Sequence, residues 1–130
     1  MRHLGIVSIA LALLGTTAET SPASPLLCAI VDVYDCSAKE CAEVKSETVG
    51  LPDLVRIESS EKTLTALDPE FAGRATTLES LTTEGGKTAA RAREGDRSLV
   101  LVIEDESGDA MLTVSDGKLV LVGYGECSRP

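Results

Sequence analysis

Four side chains in this sequence carry covalent chemistry of their own: Cys28, Cys36, Cys41 and Cys127. A cysteine thiolate can act as nucleophile, metal ligand or half of a disulfide, and the neighbouring residue types decide which. Nucleophilic use needs a base, usually histidine. The single histidine is His3, and the chain has no Trp, Asn or Gln. Zinc is disfavoured because paired C-x2-C knuckles and histidine partners are both missing. A redox pair at Cys36 and Cys41 lacks the C-x-x-C spacing. An even set of four therefore reads as two disulfides in an oxidising compartment.

Other chemistry fares no better. Ser46 lies beside Lys45, but no S-x-x-K signature accompanies it, and adjacent residues on a strand point to opposite faces. An oxyanion cannot be held by side-chain amides where none exist. No phosphate loop or dinucleotide fingerprint is present. The expectation is a protein that is not an enzyme and takes no cofactor. With 21 acidic against 12 basic residues and a net charge of −9, a nucleic-acid partner is equally unexpected.

Three groups remain as binding candidates. The acidic run EDESGD supplies Glu104, Glu106 and Asp109. It does not fit the EF-hand frame and reads as a hairpin tip, with weak cation binding as the alternative. Arg91, Arg93 and Arg97 cluster about the turn at Gly95, either as an anion patch or as partners of carboxylates on neighbouring strands. Phe71, in the loop DPEFAG, is one of three aromatic residues. It is expected to plug a barrel mouth or to serve as an exposed anchor.

The compartment is read from the first residues. Arg2 precedes an apolar run from Leu4 to Leu14, and small residues follow, with Thr16 and Ala18 placed for cleavage. This is the pattern of a secretory signal peptide over 1–18; Ser21 and Ala23 offer a second site. The apolar run is too short for a bilayer core of roughly 30 Å. Leu27 before Cys28 argues against lipidation, so no membrane anchor is expected after processing. Cleavage after Ala18 leaves a single disulfide-bonded domain over 19–130, without histidine and one charge unit more negative.

These residues must be positioned by strands. LLCAIVDVYDC is rich in β-branched residues, as strands are. Seven further runs follow over 53–59, 62–67, 74–82, 87–94, 97–105, 110–115 and 118–127, with Gly, Asp or Ser at most breaks. Gly85-Gly86 is a strong hairpin signal, and Asp116-Gly117 favours a type I′ turn. The fold class is all-β: an antiparallel meander or a small up-and-down β-barrel of about eight strands, tied by disulfides. AKECAEVK (38–45) reads equally as helix or loop. On one strand, Cys28 and Cys36 would lie about 26 Å apart, far beyond bridging distance. Of the two pairings left, Cys28–Cys127 with Cys36–Cys41 is preferred. Tyr34 and Tyr124 are expected beside the disulfides.

LVLVI (99–103) and LVLV (119–122) are apolar at every position, which breaks the alternation. Either another segment covers their outer face, or that face is an exposed apolar surface for a partner or second copy.

Two stretches, CAIVDVYDCSAKEC and RSLVLVIEDESGDAMLTVSDGKLVLVGYGEC, together resemble a loose group of small exported bacterial proteins. That group pairs an N-terminal cysteine cluster with a final hairpin ending in G-x-C; Gly108, Thr113, Val114, Gly117, Gly125 and Cys127 match it here. The resemblance implies a β-rich periplasmic domain and supplies no activity. Small periplasmic lysozyme inhibitors are similar in size and barrel architecture, but none of their recognition residues occurs here, so that comparison rests on fold analogy. The expected function is a periplasmic or secreted, non-catalytic binding or accessory module. Its partner would be a protein or small ligand of the envelope, and the alternative is inhibition of an envelope hydrolase.

Overall fold

The computed structural model describes Gly15, residues 25–71 and residues 73–130. The expected signal peptide and its two candidate cleavage sites lie outside the described residues, Gly15 apart. The described residues form nine strands: β1 (Leu26–Asp35), β2 (Ala42–Val44), β3 (Leu54–Glu58), β4 (Thr63–Ala66), β5 (Ala75–Glu84), β6 (Lys87–Glu94), β7 (Arg97–Glu104), β8 (Asp109–Ser115) and β9 (Val120–Ser128). Among the described residues there is no α-helix, only two 3-10 turns at Ser46–Val49 and Pro69–Phe71.

Strands β3 to β9 each pair antiparallel with the next, and β1 pairs with both β3 and β9. The result is a closed, eight-stranded, up-and-down antiparallel barrel. Closure satisfies backbone groups that an open sheet would leave at its edges. β2 stands outside the ring, on the last turn of β1, pairing Val33–Asp35 with Val44–Ala42. AKECAEVK is therefore neither helix nor plain loop. Once Cys36–Cys41 folds the chain back, its second half has a strand edge to join.

Alternation sorts side chains between inside and outside. On β6, Thr88, Ala90 and Ala92 point inward while Arg91 and Arg93 point out; on β8, Ala110, Leu112 and Val114 are buried between exposed neighbours. Bulges interrupt the period on β1, between Ile30 and Asp32, and on β5, between Leu78 and Ser80. An extra residue resets which face follows. Ile30 and Val33 are therefore both buried although three apart, with Val31 and Asp32 both outward between them.

The hairpins follow their turn residues in one case and depart from expectation in another. Gly85 and Gly86 both have positive φ (60° and 77°) and close β5–β6 in two residues, from Glu84 to Lys87. At Asp116-Gly117 only the glycine is left-handed, and the type I′ turn does not form. The loop is longer because the Asp116 carboxylate caps it, accepting the N–H groups of Lys118 (2.9 Å) and Leu119 (2.6 Å). Those two donors hold the Asp116 carboxyl below the ordinary aspartate range.

Both preferred disulfides are present. Cys28–Cys127 joins directly opposed residues of β1 and β9, and Cys36–Cys41 closes the loop before β2. Bonds of this kind suit an oxidising compartment, and no helix of the described residues is long and apolar enough to cross a membrane.

Candidate functional site

A barrel can bind in its interior, at its mouths or on its outside. The interior is filled. Ile30, Val55, Leu101, Leu112 and their neighbours leave a void of about 30 Å³, room for a water molecule or two and far below the several hundred Å³ of a small-molecule site.

One mouth is closed by the segment linking β2 to β3. Leu51 drops into it and is 2% exposed. Two arginines hold the backbone in place: Nη1 of Arg74 donates to the Gly50 carbonyl (2.9 Å), and Nη1 of Arg97 donates to the Val49 carbonyl (2.9 Å). The rest of the Arg74 guanidinium grips the Glu94 carboxylate through Nε (3.0 Å) and Nη2, and Thr76 donates to the same carboxylate (2.8 Å). Arg74, first of all, holds Glu94 below its ordinary acidity range. The group is a structural clamp: every polar member is directed at a protein partner.

This arrangement places the expected residues elsewhere than the sequence suggested. Phe71 is not the plug. It is half-buried in the Pro69–Phe71 turn, with the Arg74 guanidinium 5.3 Å from its ring centre. Leu51 takes the plugging role: it is buried and lines the void beside Arg74 and Glu94, whereas Phe71 is not among the residues that line it. The three arginines do not form one anion site. Arg97 is committed to the mouth, Arg93 approaches Glu79 (3.9 Å), and Arg91 stands exposed on β6.

The opposite mouth is polar. A cleft of about 310 Å³ is lined by Thr83, Thr88, Asp105, Ser107 and Arg129, beside Cys127. Thr88, although buried, donates to Asp105 (2.6 Å) and shares a contact with Thr83 (3.1 Å). The acidic turn does not gather into a cation site: Glu104 faces Lys87 at 3.9 Å, and Ser107 Oγ accepts from the Asp109 backbone N–H (3.2 Å). Among the described residues no three Asp, Glu, Cys or His side chains converge to hold a metal.

The outside carries the remaining feature. All nine strands belong to one sheet, so no second layer of described residues covers the outer face of LVLVI and LVLV. Two cross-strand rows cross it. Tyr34, Val122, Thr113 and Val100 make the first; Asp32, Tyr124, Met111 and Val102 make the second. Tyr34 and Tyr124 meet edge to face, ring centres 6.1 Å apart, beside Cys36–Cys41. Tyr124 is 47% exposed and Met111 43%. The sequence signalled this surface through its unbroken apolar runs. It did not mark Met111, which only the β8–β9 register brings beside Tyr124.

Compared with known proteins, the chain matches no family model, no curated protein and no solved structure.

Proposed function

We propose that this protein is an exported, non-catalytic recognition module of the bacterial envelope, acting through the outside of its barrel. The observation that carries this reading is the contrast between a filled interior and an open apolar outer face. A barrel that binds a small molecule keeps a cavity, and a surface patch left apolar on a strongly charged protein marks an interaction site. The signal-peptide pattern and the two disulfides support a periplasmic or secreted location. Affinity capture from envelope extract, with wild type and Tyr124→Glu in parallel, tests the proposal. Partners retained by wild type are expected; nothing specific on the wild-type resin would end it.

The charge favours one particular alternative, inhibition of an envelope hydrolase. A net charge of −9 would steer the barrel toward a basic, lysozyme-like enzyme. A lysozyme activity assay decides it: no inhibition at micromolar protein removes the alternative and leaves the first reading standing.

A further inference from the structure

We propose that the outer face of β1, β9, β8 and β7 docks a cationic amphipathic polypeptide segment, its apolar side chains flanked by Lys or Arg. The proposal rests on the reading above, that the barrel recognises through its outside, and it names the partner's chemistry.

The apolar part is concentrated. Six large apolar residues stand exposed among those described, and four of them, Val31, Met111, Val120 and Tyr124, lie on β1, β8 and β9. Tyr and Met are the side chains that interface cores favour: the ring gives contact area with little rotamer entropy, and the thioether adapts its shape.

The border of the face is acidic on all but its β6 side, where Arg91 stands exposed opposite Val100. Asp32 ends the Tyr124–Met111 row and Glu43 ends the Tyr34 row. The next row out pairs Asp109 directly with Glu126 across β8 and β9, with Glu104 on β7 beyond. Like charges directly opposite one another destabilise a sheet, so a cation laid along that border relieves a repulsion the free barrel carries. The cation nearest this border on β6, Lys87, faces Glu104.

The same charges select against other occupants. A second copy would bring one acidic border against another, and an anionic lipid surface would be repelled. Strand addition to β7, β8 or β9 is closed as well, because each is paired along both edges. Side chains alone must supply the affinity, apolar burial for strength and the carboxylates for direction.

The test is an NMR titration of the ¹⁵N-labelled barrel at pH 7 with a synthetic peptide alternating leucine and lysine. The two controls replace lysine by glutamate, or leucine by serine. Shift changes confined to the outward residues of β1, β7, β8 and β9 are expected, together with weakening by added salt. Tyr124→Glu, and separately Asp109→Lys with Glu126→Lys, should each raise Kd about tenfold or more. The variants' own spectra report their folding, and the wild-type map stands without them. Shifts centred on Leu51 or on the Thr88 cleft, equal binding of either control, comparable binding to phosphatidylglycerol vesicles, or dimerisation at pH 7 would each overturn the proposal. An envelope partner captured equally by wild type and Tyr124→Glu overturns it while sparing surface recognition; capture of nothing specific removes both.

Discussion

At Gly125 the first atom of a side chain would fall 1.8 Å from the carbonyl oxygen of Ala29, which is backbone and cannot step aside. The missing Cβ lets β9 lie against the bulged stretch of β1, so the seam that closes the barrel depends on this glycine. Gly125→Ala should destabilise the fold by about 2–3 kcal/mol, as overpacking does, read from urea denaturation. Glu94 carries a second prediction. Because the folded protein holds its carboxyl below the usual 4.5, mainly through Arg74, the carboxylate adds stability above that pH. The contribution is lost as pH falls below 4.5 and through the depressed folded-state value. Glu94→Gln should cost about 1–2 kcal/mol at pH 7, a modest figure because the pair is part-exposed. The gap between wild type and variant should narrow at pH 3. Neither residue was legible in the sequence: Gly125 matched a motif without a reason, and the partners of Glu94, Arg74 and Thr76, stand at the far end of its own hairpin, 20 and 18 residues away.

Among the elements, the eight strands of the ring were readable because each carries a local signal, alternation between breaks. β2 was not. Three residues hold no period, and the strand exists because β1 offers it an edge next to Cys36–Cys41. The two disulfides act at different ranges. Cys28–Cys127 spans 99 residues and Cys36–Cys41 spans 5. In the chain-entropy treatment these loops contribute about 4–5 and about 2 kcal/mol. Cys28→Ser with Cys127→Ser should therefore lower the melting temperature roughly twice as far as the Cys36→Ser, Cys41→Ser pair, measured by circular dichroism. Equal losses would mean that the long loop is already restrained in the unfolded chain. The segment between β2 and β3 is the other element whose role sequence concealed. Leu51→Ala should cost about 2–4 kcal/mol by opening the mouth it fills.

For the molecule as a whole, charge and apolar surface act against each other. The sequence isoelectric point is about 4.5. At pH 7 the excess of carboxylates keeps copies apart; near 4.5 that repulsion vanishes and the outer apolar face is left unopposed. Sedimentation velocity should show a monomer at pH 7 and association near 4.5, and Tyr124→Glu should reduce the association. Association of equal extent in the variant would place the sticky surface elsewhere.

The sequence by itself determined the all-β class, the number of strands in the ring and the exclusion of a Cys28–Cys36 bond, leaving the structure to select Cys28–Cys127 with Cys36–Cys41. Each follows from local stereochemistry: the period of two along a strand, the punctuation between strands, and the reach of a cysteine. Only the tertiary structure decided what the barrel holds and what it shows. The filling of its interior, the use of Leu51 rather than Phe71 as plug, and the joining of Tyr34, Met111 and Tyr124 into one face all depend on register and bulges. Those are set by which strands meet. One extra residue in β1 keeps Asp32 outside beside Val31 and moves Val33 inward, and no local preference of Val33 announces it.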